Sequence, residues 1–330
     1  MASTRSKNSE HIFSRRKACE TMNYEIGQKY DFYGKIENIN PSTYDTYACN
    51  VTSEAGESLI VRVDKEINLS LNKIYYFKTE AIAFKDKIHL LAKSVVIIGE
   101  MKLDDDEKER LMRVFYHYAP IDLAEVRKGI EAKLQAIENP VIAEITKYIL
   151  DKYQDDFYLF PAATKYHHAY ISGLAYHTNS MLKLADGFLA VYPFLSADLV
   201  YAGVILHDVA KILEFDTFEG SEYTIKGRLL GHITMGANII DQAAIALGHA
   251  DTEEAMLLQH IMISHHYYGN FGSPKRPNIA EALIIHFLDN IDSKVCVLGE
   301  ELALIETGDL TSPIGVLDRE RYYKHKLAKH

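Results

Sequence analysis

Cysteine is scarce in this chain. Cys19, Cys49 and Cys296 are widely spaced and odd in number. They show neither metal-ligand spacing nor a disulfide framework, which argues against a stapled secreted scaffold and fits a reducing, cytoplasmic setting. Long apolar runs are missing too. The longest, such as Leu199–Leu206, are far too short to cross a bilayer, so no membrane partner is expected. The polar N-terminus, with Arg5, Lys7, Arg15, Arg16 and Lys17, lacks the apolar stretch of a signal peptide. There is no surplus of positive charge, the net charge being −10. That speaks against a protein that coats nucleic acid by bulk electrostatics. It says little against an enzyme holding one strand end in a local channel, where divalent cations invert the field. Internal repeats and low-complexity segments are absent as well.

What is present is an ordinary globular composition in 330 residues, 48% apolar and 25% charged, enough for two domains with a sizeable core. Residues 1–22 read as a flexible leader. From residue 23 to 100, short alternating runs are broken by turn signals at Asn40-Pro41-Ser42 and Glu54-Ala55-Gly56-Glu57. The runs are Tyr30–Ile36, Tyr47–Val51, Leu59–Val63, Ile74–Lys78 and Ile88–Leu91. Five short strands predict a small all-β barrel, OB-like, with an SH3-like barrel as the alternative. Residues 101–160 read as a helical linker region. Asp104 to Asp106 suit a helix start, Asp122 a second cap, and Pro140 the first turn of a third helix. Residues 161–300 read as helix almost throughout, and 301–330 as a C-terminal tail. The expected fold is therefore multidomain, a barrel followed by an all-α domain.

Histidine is the unusual count. Ten of the 15 fall between His167 and His286. Within that stretch His177, the adjacent pair His207-Asp208, and Asp289 each follow or interrupt an apolar helical run. An imidazole and a carboxylate in such places are costly to bury unless something pairs with them, and a divalent cation would satisfy both.

These residues resemble the H…HD…D signature of the HD-domain phosphohydrolases, in which all four hold one metal. The resemblance extends further, to the YhaM-type 3′→5′ exoribonucleases, which place an OB-type barrel before the HD domain. It is carried by Tyr166-His167-His168, Gly173-Leu174-Ala175-Tyr176-His177-Thr178 and the run from Tyr201 to Lys211. Gly231-His232-Ile233, Ser264-His265-His266, Gly272-Ser273-Pro274 and Leu288-Asp289-Asn290-Ile291-Asp292 carry it too. It covers roughly residues 24–300. Two departures stand out. Ser172 takes the place of the first of two glycines before Leu174. Tyr267 and Tyr268 follow the paired histidines where a glycine is common, and Tyr267 could narrow or stack within the entrance.

The expected roles follow. His177, His207, Asp208 and Asp289 hold a first metal. A second is expected with Asp208 bridging and His232 and His265 as ligands, His266 competing with His265 for that role. Mixed nitrogen and oxygen donors suit Mn²⁺, Fe or Co better than Mg²⁺, and the resemblance implies Mn²⁺. Two ions would clamp a phosphate and activate a water. Lys211, one turn past Asp208, would contact the non-bridging phosphate oxygens. His167, His168, Lys275, Arg276 and Asp292 are further candidates for contact with substrate. His260 and His286 read as structural.

The barrel carries nine Lys/Arg against eleven Asp/Glu, so it is not basic. Its lysines are nevertheless interleaved with Phe32, Tyr33, Tyr44, Tyr47, Tyr75, Tyr76, Phe77 and Phe84, as in stacking platforms for single-stranded bases. About half of these must be core. The expectation is a cytoplasmic 3′→5′ exoribonuclease acting on single-stranded RNA or DNA, in which a homo-oligomer could enclose the cleft. A phosphohydrolase of small nucleotides and a non-catalytic nucleic-acid-binding protein are the alternatives. The barrel opposes the former, as does the lack of a Gly-Tyr-Pro element after the paired histidines; the intact ligand set opposes the latter.

Overall fold

The alternating segments fold as strands β1 (Lys29–Asn40), β2 (Thr46–Ser53), β3 (Ser58–Asp64), β4 (Ile74–Phe84) and β5 (Lys87–Ile97). The structure, a computed structural model, describes residues 24–41, 45–85, 87–163, 170–218 and 222–327. The strands close a barrel in the order β1-β2-β3-β5-β4, with β3 and β5 parallel and the other pairs antiparallel. That order is OB-like and sets the SH3-like alternative aside. A register shift between Ile36 and Asn38 lets β1 bend from its pairing with β4 to its pairing with β2, which is how a short barrel turns its corner. The closing β3–β5 contact is short, pairing Val61 with Leu90 and Arg62 with Leu91.

Period-two alternation sends Ile36, Cys49, Val51, Val61, Val63, Tyr75 and Phe77 into the barrel core. Phe32 and Tyr47 pack against that core from partly buried positions. Tyr33 and Tyr76 stand on the other face, their ring centroids 5.0 Å apart. Phe84 lies under the Arg62 guanidinium at 3.9 Å. Tyr44 is outside the described residues.

The chain divides into two compact units, Met1–Pro120 and Ile121–His330, and the boundary falls inside the stretch read as a helical linker. Helix α1 (Asp105–Phe115), capped by Asp104, goes with the barrel: Arg110 pairs with Glu54 at 3.3 Å and the Lys35 ammonium reaches the Phe115 carbonyl at 3.3 Å. The second unit is helical. It comprises α2 (Leu123–Gln135), α3 (Pro140–Lys152), α4 (Gln154–Leu159), α5 (Gly173–Val191), α6 (Ala197–Leu206), α7 (Lys211–Glu214), α8 (Ile225–Leu247), α9 (Glu253–Ser264) and α10 (Ala280–Ala303). Asp122 caps α2, and Pro140 takes the first turn of α3 behind the cap Asn139. Apolar faces of α3, α5, α6, α8, α9 and α10 meet in one core, which includes Ile145, Leu174, Met181, Val204, Ile261 and Ile285. Past α10 the chain turns back on itself, with Leu310 bridged to Tyr323 and Thr311 buried. No helix among the described residues is long and apolar enough to cross a membrane.

Candidate metal centre

Small residues and helix breaks bring the donors together. His207 ends α6, its backbone N–H still donating to the Gly203 carbonyl at 2.9 Å. A Cβ on Gly203 would collide with Ile285, one turn before Asp289 on α10. The absent side chain therefore lets the end of α6, with His207 and Asp208, lie against the turn that carries Asp289 and Asp292. Helix α8 is broken at Gly231, whose φ of +70° lies in the region that favours glycine. The break aims the His232 backbone N–H at Glu214 Oε1, 3.0 Å away. Helix α9 stops at Ser264, which leaves His265 as its C-cap and His266 just beyond.

Each of the converging imidazoles commits Nδ1 outward. His207 Nδ1 donates to the Val204 carbonyl at 2.7 Å, His265 Nδ1 to Met262 at 2.8 Å and His266 Nδ1 to Phe271 at 2.7 Å. His177 Nδ1 donates to Asp292 Oδ2 at 2.7 Å, and His232 Nδ1 to Glu214 Oε2 at 3.1 Å. A carbonyl or carboxylate can only accept, so each bond fixes the ring's tautomer and turns an unprotonated Nε2 inward in the neutral ring. This is the arrangement by which acceptors behind a histidine orient it as a metal ligand.

Two carboxylates face these nitrogens. Asp208 Oδ2 lies 3.3 Å from His207 Nε2, 3.9 Å from His177 Nε2 and 2.7 Å from Lys211 Nζ. Asp208 Oδ1 faces the other way, 3.5 Å from His232 Nε2. Asp289 Oδ1 is 3.4 Å from His177 Nε2, and Asp289 Oδ2 is 4.0 Å from His266 Nε2. Burial alone would raise the Asp208 carboxyl, but Lys211 and His207 outweigh it and hold the group well below the usual carboxylate range. Burial likewise opposes the charge on Lys211, and Asp208 keeps that ammonium protonated. Burial drives His265 well below the ordinary histidine range, with His266 and His207 adding to it, and it lowers His266 too. Both are therefore neutral and able to ligate.

The donors form two groups that could hold an ion, His177, His207 and Asp289 in one and Asp208, His232, His265 and His266 in the other. Within the second, Asp208 Oδ1, His232 Nε2 and His265 Nε2 are buried with no hydrogen-bond partner. Three orphaned polar atoms converging on one point are costly unless a cation satisfies them, so the residues fit divalent metals. Both His265 and His266 stand in the second group, where the sequence left them as competitors.

The remaining candidates fall in different places. Asp292 backs His177. Arg276 lies with its guanidinium 5.3 Å from the Tyr267 ring, on the exposed loop that also carries Lys275. His167 and His168 lie outside the described residues. His286 is structural, donating from Nδ1 to the His265 carbonyl at 2.9 Å, and His260 Nε2 accepts from the Asn278 N–H at 2.9 Å. Glu214 is the residue that the sequence reading missed. Its signal is a carboxylate inside the apolar run Ile212-Leu213-Glu214-Phe215, a place where an acid needs a buried partner.

Residues 174–294 match the family described as HD domain, a span that contains His177, His207, Asp208, Lys211, Glu214, His232, His265, His266, Asp289 and Asp292. The match lies wholly within the helical unit, and HD domains are typically those of metal-dependent hydrolases.

Proposed function

We propose that this protein is a metal-dependent 3′→5′ exoribonuclease that releases nucleoside monophosphates from single-stranded RNA, with single-stranded DNA as a second substrate. The observation that carries the reading is Asp208, whose two oxygens face two separate histidine groups. His177, His207 and Asp289 would hold one ion, His232, His265 and His266 the other, with Asp208 shared. Imidazole-rich donors favour a transition metal, Mn²⁺, Fe or Co, over Mg²⁺, and the resemblance to the YhaM-type enzymes selects Mn²⁺ among them. Bound there, two such ions neutralise a phosphodiester and acidify a water for in-line attack.

The side chains supply the rest. Lys211 holds a charged ammonium beside Asp208, placed to meet a non-bridging phosphate oxygen as negative charge builds on it. Asp292 and Glu214 hold the rings of His177 and His232 in orientation. Burial of His177 and His207 keeps water from the inner wall, while the partly open His266 and Asp289 side chains leave an entrance. The OB-like barrel supports a strand rather than a mononucleotide as substrate, because Tyr33 and Tyr76 pair on its outer face with the Lys78 ammonium 6.0 Å from the Tyr76 ring. Cys49 and Cys296 are free thiols, which suits a cytoplasmic setting.

The test is product analysis with Mn²⁺ on single-stranded RNA in competition with cyclic nucleotides and nucleoside triphosphates. Release of nucleoside monophosphates from RNA, unaffected by excess mononucleotide, is expected. Preferential turnover of the small nucleotides would replace this reading with a small-molecule phosphohydrolase.

A further inference from the structure

The open side of the metal centre is not symmetrical. The His177, His207 and Asp208 side chains are almost wholly enclosed, whereas His266 and Asp289 are 22% and 18% exposed. His266 is the most open of the centre's side chains, ahead of His232 at 14% and Lys211 at 13%, and a strand end approaching on its side passes over it. The loop that follows His266 occupies that side. The Phe271 carbonyl accepts from His266 Nδ1, on the far edge of the ring whose Nε2 faces Asp289. The loop is pinned in place. Ser273 Oγ accepts from the His266 N–H at 3.1 Å, Tyr268 N–H donates to the His266 carbonyl at 2.7 Å, and Gly272 backs against Ile233, the neighbour of His232. From this fixed loop Tyr268 and Phe271 project into solvent, 48% and 61% exposed, with ring centroids 6.0 Å apart. Tyr267, at a φ of +66°, sits behind them between His286 and Arg276. The two rings meet edge to face, at 79°, so one braces the other; a braced, exposed aromatic ring beside His266 and near exposed Lys275 and Arg276 has the chemistry of a nucleobase stacking site.

We propose that Phe271, the more exposed ring of the edge-to-face pair with Tyr268, forms a stacking subsite for the unpaired base adjoining the scissile phosphate. The inference rests on the nuclease reading above and adds to it a reason for preferring single strands, since a base paired in a duplex cannot lie on the ledge.

The experiment compares wild type, Phe271→Ala and Phe271→Trp with Mn²⁺. The substrates are 5′-labelled oligoadenylate and the same strand ending in an abasic ribose. Phe271→Ala is expected to raise KM for the intact strand on the order of tenfold. It should leave kcat and bound manganese unchanged and have no effect on the abasic strand. Phe271→Trp should behave as wild type. A 2-aminopurine at the 3′ end should be quenched on wild type and not on Phe271→Ala. Equal effects on both strands, or none, overturn the subsite while leaving the nuclease reading intact. A change in oligomeric mass without base dependence overturns it in favour of an interface between copies. If wild type cleaves neither strand, the nuclease reading falls and the subsite falls with it.

Discussion

The Glu214 carboxylate accepts two hydrogen bonds from His232, one from its backbone N–H at 3.0 Å and one from ring Nδ1 at 3.1 Å. Burial would raise Glu214, yet its bonds to His232 keep it ionised and below the ordinary range. Glu214→Ala is therefore expected to loosen His232 and weaken the second ion by about 10- to 100-fold. Glu214→Gln, which keeps an acceptor, should weaken it less. Titration calorimetry with Mn²⁺ checks this; equal loss at both sites, or none, would contradict it.

Gly203→Ala tests the approach of α6 to α10. The added methyl meets Ile285, and Ile261 carbon atoms at 3.1 and 3.3 Å, in a fully packed core. Overpacking of this kind costs about 1–3 kcal/mol. Urea unfolding of the metal-free protein should show that loss. Manganese occupancy should fall as well, because His207 and Asp289 flank the contact.

Lys211→Ala separates transition-state stabilisation from binding. Loss of the ammonium beside Asp208 should lower kcat by about 10²-fold or more. KM and metal content should change little. A rise in KM with kcat preserved would assign Lys211 to ground-state binding instead.

The pH dependence of stability follows from His177. Burial disfavours its charged form, but Asp289 and Asp292 outweigh that and raise it from 6.5 to about 9. A group whose proton is held more tightly in the folded state contributes stability that is complete below its unfolded value and lost as pH rises through its folded one. Metal-free protein should thus lose this contribution between pH 6.5 and about 9. Ligation displaces that proton, so with Mn²⁺ the stabilisation by metal should grow over the same window. Thermal melts with EDTA and with Mn²⁺ distinguish the two; parallel curves would contradict the assignment.

Much of this was legible in the residues. Alternation located all five strands because a half-buried strand must alternate, and Asp104, Asp122 and Pro140 announced helix starts because the first turn needs acceptors or tolerates a missing N–H. His207-Asp208 stood out as polar groups after an apolar run. The orientation of the rings did not. Nδ1 of His207 and His265 bonds to backbone carbonyls, which carry no side-chain signature, and Glu214 reaches His232 only through the break at Gly231. The closing pair β3 and β5 is a non-local contact that no local pattern encodes. The choice between His265 and His266 was open because both lie at the end of α9, and the fold gathers both into one group with Asp208.

Asp208 is proposed as the shared carboxylate of a two-ion nuclease site. That role is tested most directly by incubating a 5′-labelled single-stranded RNA with Mn²⁺ and either wild type or Asp208→Asn. A ladder shortening from the 3′ end is expected with wild type, and an intact strand with Asp208→Asn, folded by circular dichroism. Intact RNA with manganese-loaded wild type, or the same ladder from both proteins, would contradict it.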